Sequence, residues 1–330
     1  MKILIIRFSS IGDIVLTSPI PRLLKKKLPN SKIHFLTKKI YSDIYSNNIY
    51  LNKLYLFDNN LFQLIKELKK NNYDLIIDLH NNIRSILLRV VLGVNSLVYN
   101  KNRFKRWLIV NFKLKLDIPH IVDSYIDTLS TLNIINDNKG LDYFLSSNDK
   151  IEFDSIPKSH RKGFDILVIG AKHNTKVLPV KKLIELCDII NGPIILIGGK
   201  SEIKPSIIIE NYFKKSKSNL KESKIKNLLN KKTIIFNMVG KITINQSASL
   251  IENANIIYTH DTGMMHIASA FKKEIISIWG STHPSLGFYP YGTKFKIFQN
   301  EKIKCRPCTK IGYNNCPLGH FKCMKEIKFS

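Results

Sequence analysis

The feature that most constrains the fold is a strand–loop–helix pattern that opens the chain and returns in its second half. The apolar run Ile3–Ile6 is followed by a polar turn and by the start of a helix. The same order returns in Phe164–Ile169, the polar loop Gly170–Thr175 and the helical stretch Val180–Ile190. Alternating strands and helices are typical of parallel sheets connected by right-handed crossovers. We therefore expect an α/β protein made of two Rossmann-like, doubly wound domains.

The polar segment 146–162 lacks periodicity and contains Pro157, so we place the linker there and expect domains at 1–150 and 151–330. The segment 214–232, rich in Lys, Ser and Asn, is predicted to be an exposed helix or insertion. Apolar periodicity predicts further strands and helices. The remaining strands are expected at 33–37, 73–79, 193–197, 233–236, 255–259 and 274–279, and the remaining helices at 61–70 and 264–271.

Polar loops follow many of the predicted strands. In open α/β sheets, ligands bind where the carboxyl ends of the strands meet. We therefore expect a binding cleft between the two domains. The loops that would line it are Ser9–Asp13, His80–Arg84, Gly170–Lys176, Gly198–Ser201 and His260–His266.

The charge of the chain points to an anionic partner without choosing one. The 330 residues include 52 Lys and Arg against 25 Asp and Glu, a net charge of +27. One interpretation is that a genome rich in A and T, which favours Lys, Asn and Ile, would produce this excess without functional selection. The functional interpretation is attraction to nucleic acid, anionic lipid or a phosphorylated glycan. No apolar stretch has the length of a signal peptide core or a membrane span, which predicts a cytoplasmic protein.

Missing motifs argue against several enzyme classes. The first strand–helix turn lacks Gly-x-Gly-x-x-Gly, and the chain has no Walker-type Gly-Lys-Ser/Thr loop. A dinucleotide oxidoreductase and a P-loop nucleoside triphosphatase are therefore disfavoured. The chain also lacks an Asp-x-Asp pair, which argues against a sugar transferase that holds its nucleotide through a divalent metal.

Two loops carry the most informative polar residues. In Asp261–His266, a free helix N-terminus suits a phosphate, while plain capping by Asp261 or Thr262 and a core histidine is the structural alternative. Lys176 would add a point charge for a diphosphate or be an ordinary surface lysine. In the first loop, Asp13 is either a helix cap, with a lowered pKa, or a general base whose pKa is raised by a dry cleft.

Two further segments each allow alternative interpretations. In residues 100–116, basic residues alternate with Phe104, Trp107 and Phe112, a mixture that suits anionic lipid, single-stranded nucleic acid or a solvated helix with a core stripe. Near the C-terminus, a single Cys-x2-Cys pair with other Cys and His residues nearby allows a zinc site. These residues are Cys305, Cys308, Cys316, His320 and Cys323.

Taken in order, the motifs of this chain resemble those of glycosyltransferase family 9, the ADP-heptose:lipopolysaccharide heptosyltransferases. The resemblance spans nearly the whole chain, and it departs from the family at Leu178, where the family has Trp, and at Ser124, where it has Arg. The matching segments are Ser9–Pro19, Asp78–Ser85, Lys176–Pro179, Asp261–His266, Trp279–Pro284 and Cys316–Met324.

The resemblance implies a GT-B fold and an inverting transfer that needs neither metal nor cofactor. It implies that Asp13 is the catalytic base, and that heptose moves from ADP-L-glycero-D-manno-heptose to a lipid A–core acceptor at the inner membrane. Nucleic acid is not an expected partner. We assign donor binding to Lys176, Gly198, Gly199, Asp261, Thr262, Gly263 and His266, and acceptor binding to Ser10, Gly12, His80, Asn81 and Arg84.

Two other functions remain open at this point. One is a related transferase that uses another nucleotide sugar or glycan acceptor, which the substitutions at Leu178 and Ser124 would allow. The other is a non-catalytic, basic protein that binds lipid or RNA on a transferase-like scaffold. The sequence alone does not fix the acceptor position or the oligomeric state.

Overall fold

The computed structural model describes residues 1–222 and 233–329, which contain two parallel sheets. The first sheet has the strand order β3-β2-β1-β4-β5. Its strands are β1 (Lys2–Ile6), β2 (Lys32–Lys38), β3 (Lys53–Phe57), β4 (Leu75–Asp78) and β5 (Ser96–Val98). The helices that belong to this part are α1 (Ile11–Leu16), α2 (Pro19–Lys27), α3 (Leu61–Lys69), α4 (Ile83–Leu92), α5 (Arg103–Phe112) and α6 (Ile121–Asp127).

The second sheet has the order β11-β10-β9-β6-β7-β8, and every strand pair in both sheets is parallel. Its strands are β6 (Asp165–Val168), β7 (Pro193–Ile197), β8 (Ile234–Asn237), β9 (Ile256–His260), β10 (Glu274–Trp279) and β11 (Phe295–Gln299). The accompanying helices are α7 (Val180–Ile190), α8 (Ile203–Glu222), α9 (Ile244–Asn253), α10 (Gly263–Ala270) and α11 (Lys322–Lys325).

Apolar strands of β-branched residues explain why both sheets are buried on two faces. In β1, residues Ile3 to Ile6 are all fully buried, as expected for a parallel strand covered by helices on both sides. One core cluster joins the two sheets, because it contains Ile5 and Val168 together with Ile257. Two further clusters fill the outer sides of the sheets.

The strand order reverses at one point in each sheet, between β1 and β4 in the first and between β6 and β9 in the second. Ligand sites of open α/β sheets form at such points. The loops that follow these four strands include four of the five polar segments singled out in the sequence, and the fifth, Gly198–Ser201, follows the neighbouring strand β7. The topology therefore places these segments at the carboxyl edges of the two sheets. None of the helices in the described residues has the length and apolar character needed to cross a bilayer.

Most of the predicted elements are confirmed. The strands that were not predicted lie at sheet edges, and the helices α2, α4, α6, α9 and α11 were not predicted either. The bounds of α7, β7 and β10 are those predicted, while β3, β5 and β11 were not predicted. Of the segment 214–232, residues up to 222 complete α8, and residues 223–232 lie outside the described residues.

Candidate active site

A cavity of about 620 Å³ lies between the two sheets, at the carboxyl ends of their central strands. Residues of both halves line it. Ten of the predicted site residues do so: Ser10, Gly12, Asp13, Lys176, Gly198, Gly199, Asp261, Thr262, Gly263 and His266. Ligand pockets of this size and position are typical of α/β folds. The loops after β1, β6, β7 and β9 therefore build one common site.

Asp13 is the third residue of α1, and its carboxylate is held from two sides. One oxygen, Oδ1, lies 2.7 Å from Nη2 of the buried Arg7. The other, Oδ2, accepts hydrogen bonds from Ser10 Oγ at 2.7 Å and from Ser10 N at 3.1 Å. The backbone contact is the capping interaction that the sequence allowed. The side chain of Asp13 still keeps 24% of its surface exposed, and it faces the cavity.

The pKa of Asp13 results from opposing effects. Burial raises it, but the positive charge of Arg7 and the hydrogen bonds from Ser10 outweigh burial, so the pKa lies below its ordinary value. The expectation that a dry cleft would raise it is therefore not met. Asp13 is ionised at neutral pH, which is the form that a general base needs.

On the opposite domain, Lys176 and Asp261 form an ion pair. Lys176 Nζ lies 2.7 Å from Asp261 Oδ2 and donates a hydrogen bond to the backbone oxygen of Asp261 at 3.2 Å. Thr282 Oγ1 donates to the same carboxylate at 2.8 Å. Lys176 is thus a fixed charge in the cavity wall and not an ordinary surface lysine.

The helix α10 begins in the cavity without a side-chain cap. Its N-cap residue is Thr262, and no side chain accepts a hydrogen bond there. Asp261, which the sequence offered as a capping residue, instead holds Lys176. The first N–H groups of α10 therefore remain available to an anion, and the helix dipole favours negative charge at this place.

His266 lies in the first turn of α10 and is buried. Within the described residues its Nδ1 has no hydrogen-bond partner. Burial lowers the pKa of His266 to about 4, although Asp261 acts in the other direction. The imidazole is therefore neutral at pH 7 and can offer either an N–H or a lone pair to a ligand in the cavity.

Gly12 and Gly263 meet where α1 packs against α10. A Cβ atom on Gly12 would lie 2.7 Å from Cδ2 of His266, and one on Gly263 would lie 2.4 Å from Cγ2 of Ile11. Neither glycine has a left-handed backbone. The sequence analysis assigned Gly263 to donor binding. The structure adds a different requirement, namely that the helices of the two domains approach each other closely.

Gly198 and Gly199 line the cavity beside a carboxylate that the sequence analysis did not single out. Gly199 N donates a hydrogen bond to Oε2 of Glu202 at 2.7 Å. A Cβ atom on Gly170 would also collide with the Glu202 side chain, at 2.5 Å from its carboxyl carbon. These glycines thus leave room for Glu202 in the wall of the cavity.

The residues predicted to bind the acceptor divide into two groups, of which the first, Ser10 and Gly12, lines the cavity. His80, Asn81 and Arg84 are not among the residues that line the cavity. The Arg84 guanidinium lies over the ring of Phe57, and the Asn81 side chain donates a hydrogen bond to the backbone oxygen of Tyr99. Burial, together with nearby cations, lowers the pKa of His80 to about 3, so this ring is neutral.

Two functional candidates were missed by sequence reasoning. Arg7 follows directly after the apolar strand β1. A charged residue at the carboxyl end of a buried strand indicates a residue of the binding site, and this signal was present in the sequence. Thr282 lies in a motif that was recognised, but nothing in the sequence indicated its bond to Asp261. Leu178, in contrast, is a core residue of the second domain, and its backbone N donates to Nε2 of the buried His260.

The C-terminal cysteines approach one another in part. Cys305 Sγ lies 3.9 Å from Cys308 Sγ and 3.9 Å from Nε2 of His320. All five cysteines are free thiols. Over residues 1–222 and 233–329, no three His, Cys, Asp or Glu side chains come together in an arrangement that could hold a metal ion.

Comparison with known proteins decides the family. The sequence model described as glycosyltransferase family 9 (heptosyltransferase) matches residues 61–318, well over half of the chain. The chain belongs to glycosyltransferase family 9. It is therefore an enzyme, which disfavours the non-catalytic binding protein considered above.

Members of the family resemble the chain along most of its length. Lipopolysaccharide heptosyltransferase 1 of Campylobacter coli is 26% identical over 324 residues, which cover 92% of this chain and 89% of the relative. Lipopolysaccharide heptosyltransferase 3 of Escherichia coli K12 is 26% identical over 300 residues, with coverage of 82% and 80%.

Solved structures of the family share the fold. The E. coli ADP-heptose LPS heptosyltransferase II superposes with a TM-score of 0.69 at 18% identity, covering 99% of this chain and 98% of that one. The E. coli heptosyltransferase WaaC with ADP-2-deoxy-2-fluoro heptose gives a TM-score of 0.65 at 17% identity, covering 94% and 96%. The two sheets of this family 9 chain therefore form the GT-B architecture expected from the sequence.

Proposed function

We propose that this family 9 enzyme transfers heptose from ADP-L-glycero-D-manno-heptose to the inner core of lipopolysaccharide, with inversion and without a metal. The proposal is supported by the heptosyltransferase relatives, whose names refer to lipopolysaccharide, and by a structural neighbour that holds an ADP-heptose analogue. In this proposal, residues 1–150 bind the lipid A–core acceptor at the cytoplasmic face of the inner membrane, and residues 151–330 bind the donor.

The observation that carries the proposal is that Asp13 and the uncapped start of α10 line one cavity. An ionised carboxylate on one wall can receive a proton. Free N–H groups and a lysine on the other wall can receive a diphosphate. A sugar bridging the two walls would have its anomeric carbon between the base and the leaving group.

The reaction follows from this placement. Asp13 accepts the proton of an acceptor hydroxyl while that oxygen attacks the anomeric carbon of the heptose. The bond between this carbon and the phosphate oxygen of ADP breaks, and the electron pair leaves with ADP. Because attack and departure occur on opposite faces, the configuration at the anomeric carbon is inverted. Arg7 and Ser10 keep the carboxylate ionised and fix its direction.

The leaving diphosphate is stabilised by charges that the protein already holds in place. Two of the contacts of Lys176 Nζ go to Asp261, and an ammonium group has three donors, so one remains for a phosphate oxygen. The N–H groups of Thr262 and Gly263 and the ring of His266 complete this side, with Gly198 and Gly199 nearby. Preorganised donors of this kind act where negative charge develops.

The test is transfer from ADP-heptose to purified lipid A–core acceptor, with and without EDTA. We expect product in both conditions and a product whose anomeric configuration is opposite to that of the donor. A panel of other nucleotide sugars serves as the control for donor identity. Transfer from another donor, with none from ADP-heptose, would replace the proposal by the related-transferase alternative. Loss of transfer on adding EDTA would refute metal independence.

A further inference from the structure

The solvent face of α5 carries three exposed aromatic rings in contact with one another. Phe104, Trp107 and Phe112 keep 69%, 45% and 61% of their surface exposed. The rings of Phe104 and Trp107 are stacked at 6.2 Å, and those of Trp107 and Phe112 meet edge to face at 5.3 Å. The opposite side of the helix is anchored by the buried Arg106 and Ile109. A contiguous apolar patch of this kind marks an interaction surface.

All the charged residues in the segment around this helix are basic. Between Asp78 and Asp117, residues 79–116 contain eight Lys and Arg residues and no Asp or Glu. Four of the basic side chains are exposed and have no acidic partner within the described part of the chain: Arg103, Lys105, Lys113 and Lys115. The aromatic cluster is therefore surrounded by uncompensated positive charge.

This surface adjoins a residue that lines the active-site cavity. Lys310 lines the cavity, and its Nζ lies 3.4 Å from the backbone oxygen of Arg103 at the start of α5. Arg103 Nη2 donates a hydrogen bond to the backbone oxygen of Asn81, in the loop after β4. A partner bound to α5 would therefore lie close to the cavity.

We propose that the face of α5 formed by Phe104, Trp107, Phe112 and the surrounding basic residues docks onto an anionic lipid bilayer. The inference rests on the proposed function, because docking would present a lipid-anchored acceptor to Asp13. Aromatic rings and lysines at the water–lipid boundary are the composition of interfacial helices. The attraction of the lysines to anionic headgroups adds to the free energy gained when the aromatic rings leave water.

The aliphatic neighbours of the cluster favour lipid over single-stranded nucleic acid. Ile83, which keeps 85% of its surface exposed, lies two residues after the Asn81 that contacts α5, and Leu114 follows the cluster at 45% exposure. Nucleic-acid surfaces use aromatic rings as stacking platforms for bases. Aliphatic side chains offer no such platform, but they partition into the acyl boundary of a bilayer.

The two tryptophans of the chain give a direct readout of docking. Trp279 is buried and donates a hydrogen bond to Ser277 Oγ, so Trp107 is the tryptophan that can respond to lipid. We expect a blue shift of the emission and quenching by brominated lipid when vesicles with about a third phosphatidylglycerol are added. Neutral phosphatidylcholine vesicles should give a much smaller change. The Trp107→Phe variant should lose the spectral change while it still sediments with the vesicles.

Variants assign the binding to this face. Replacing Phe104, Trp107 and Phe112 by Ser should lower vesicle binding by about tenfold or more, since binding follows the buried apolar area. Replacing Lys105 and Lys115 by Gln should weaken it by about fivefold for each lysine removed. The matched control replaces Phe62 and Phe153, which are 80% and 54% exposed elsewhere on the surface, by Ser. The control should bind vesicles like the unmodified protein.

Transfer to two forms of the acceptor separates this inference from the proposed function. The aromatic variant should use a deacylated, water-soluble acceptor at the normal rate and a vesicle-embedded acceptor at a reduced rate. Vesicle binding by the unmodified protein without transfer to either acceptor would leave the docking surface standing and refute the proposed function. Equal vesicle binding by the aromatic variant, or binding to an oligonucleotide but not to vesicles, would overturn the docking surface.

Discussion

The contact between α1 and α10 gives the sharpest structural prediction. Replacing Gly263 by Ala places a Cβ 2.4 Å from Cγ2 of Ile11 and 3.1 Å from the backbone N of Gly12, where ordinary contact begins at 3.4 Å. Rotation of the Ile11 side chain can relieve the first contact, but its Cβ at 2.9 Å and the backbone N of Gly12 force the two helices to separate by about 0.5–1 Å. Overpacking of this kind costs about 1–3 kcal/mol. Helix propensity acts in the opposite direction, because Ala in place of Gly gains up to about 1 kcal/mol within a helix.

The net expectation is a loss of about 1–2 kcal/mol in the free energy of unfolding. The effect on transfer should be larger, because a 1 Å displacement between reacting groups lowers the rate by up to about a hundredfold. Denaturant unfolding and kcat/KM measure the two effects separately. The matched control is Gly192→Ala, where the nearest atom to the added Cβ lies 3.9 Å away. If Gly263→Ala were as stable and as active as this control, the close contact between the domains would be refuted.

Three further variants test single interactions of the site and the core. Arg7→Gln removes the cation that lowers the pKa of Asp13 and leaves burial unopposed, so the acid limb of the pH profile of kcat/KM should move to higher pH. In the Arg7→Lys variant, the acid limb should stay near the pH at which it lies in the unmodified enzyme. Arg22→Met breaks buried ion pairs with two aspartates and should cost about 3–5 kcal/mol of unfolding free energy in denaturant titration. Lys176→Met should weaken ADP binding in calorimetry, and an unchanged affinity would exclude a phosphate contact.

The pH dependence of stability follows from the same carboxylate. Because the folded-state pKa of Asp13 lies below its ordinary value, its ion pair stabilises the protein above the unfolded pKa. This contribution is lost as the pH falls through the folded pKa. In Arg7→Gln, the same site should instead contribute nothing or destabilise the protein at neutral pH, since burial then disfavours the charged form.

The sequence predicts the architecture because buried parallel strands are continuous apolar runs with clear ends. β7 and β10 are such strands, and their predicted bounds agree with the structure. β3 and β5 are edge strands whose residues are partly exposed, and β5 has only three residues. Their conformation depends on pairing with β2 and β4, which no local pattern reveals.

The candidate site was predictable as a set of loops, but its internal contacts were not. Asp13, Lys176 and His266 could be placed in one cleft because topology brings the carboxyl ends of parallel strands together. The ion pair between Arg7 and Asp13 depends on how one side chain folds back over a helix start. The contact between Gly12 and Gly263 depends on how the two domains pack. Both are tertiary features without a signature in the spacing of residues.

The most direct test of the account compares two aspartates with the same capping geometry. Asp149 accepts hydrogen bonds from Ser146 N and Oγ, as Asp13 does from Ser10, but it lies outside the cavity. Single-turnover transfer should fall by about 10²–10⁴-fold in Asp13→Asn, while ADP affinity is retained. The Asp149→Asn variant should transfer at the normal rate. Transfer by Asp13→Asn at a rate close to that of Asp149→Asn would contradict the assignment of Asp13 as the base.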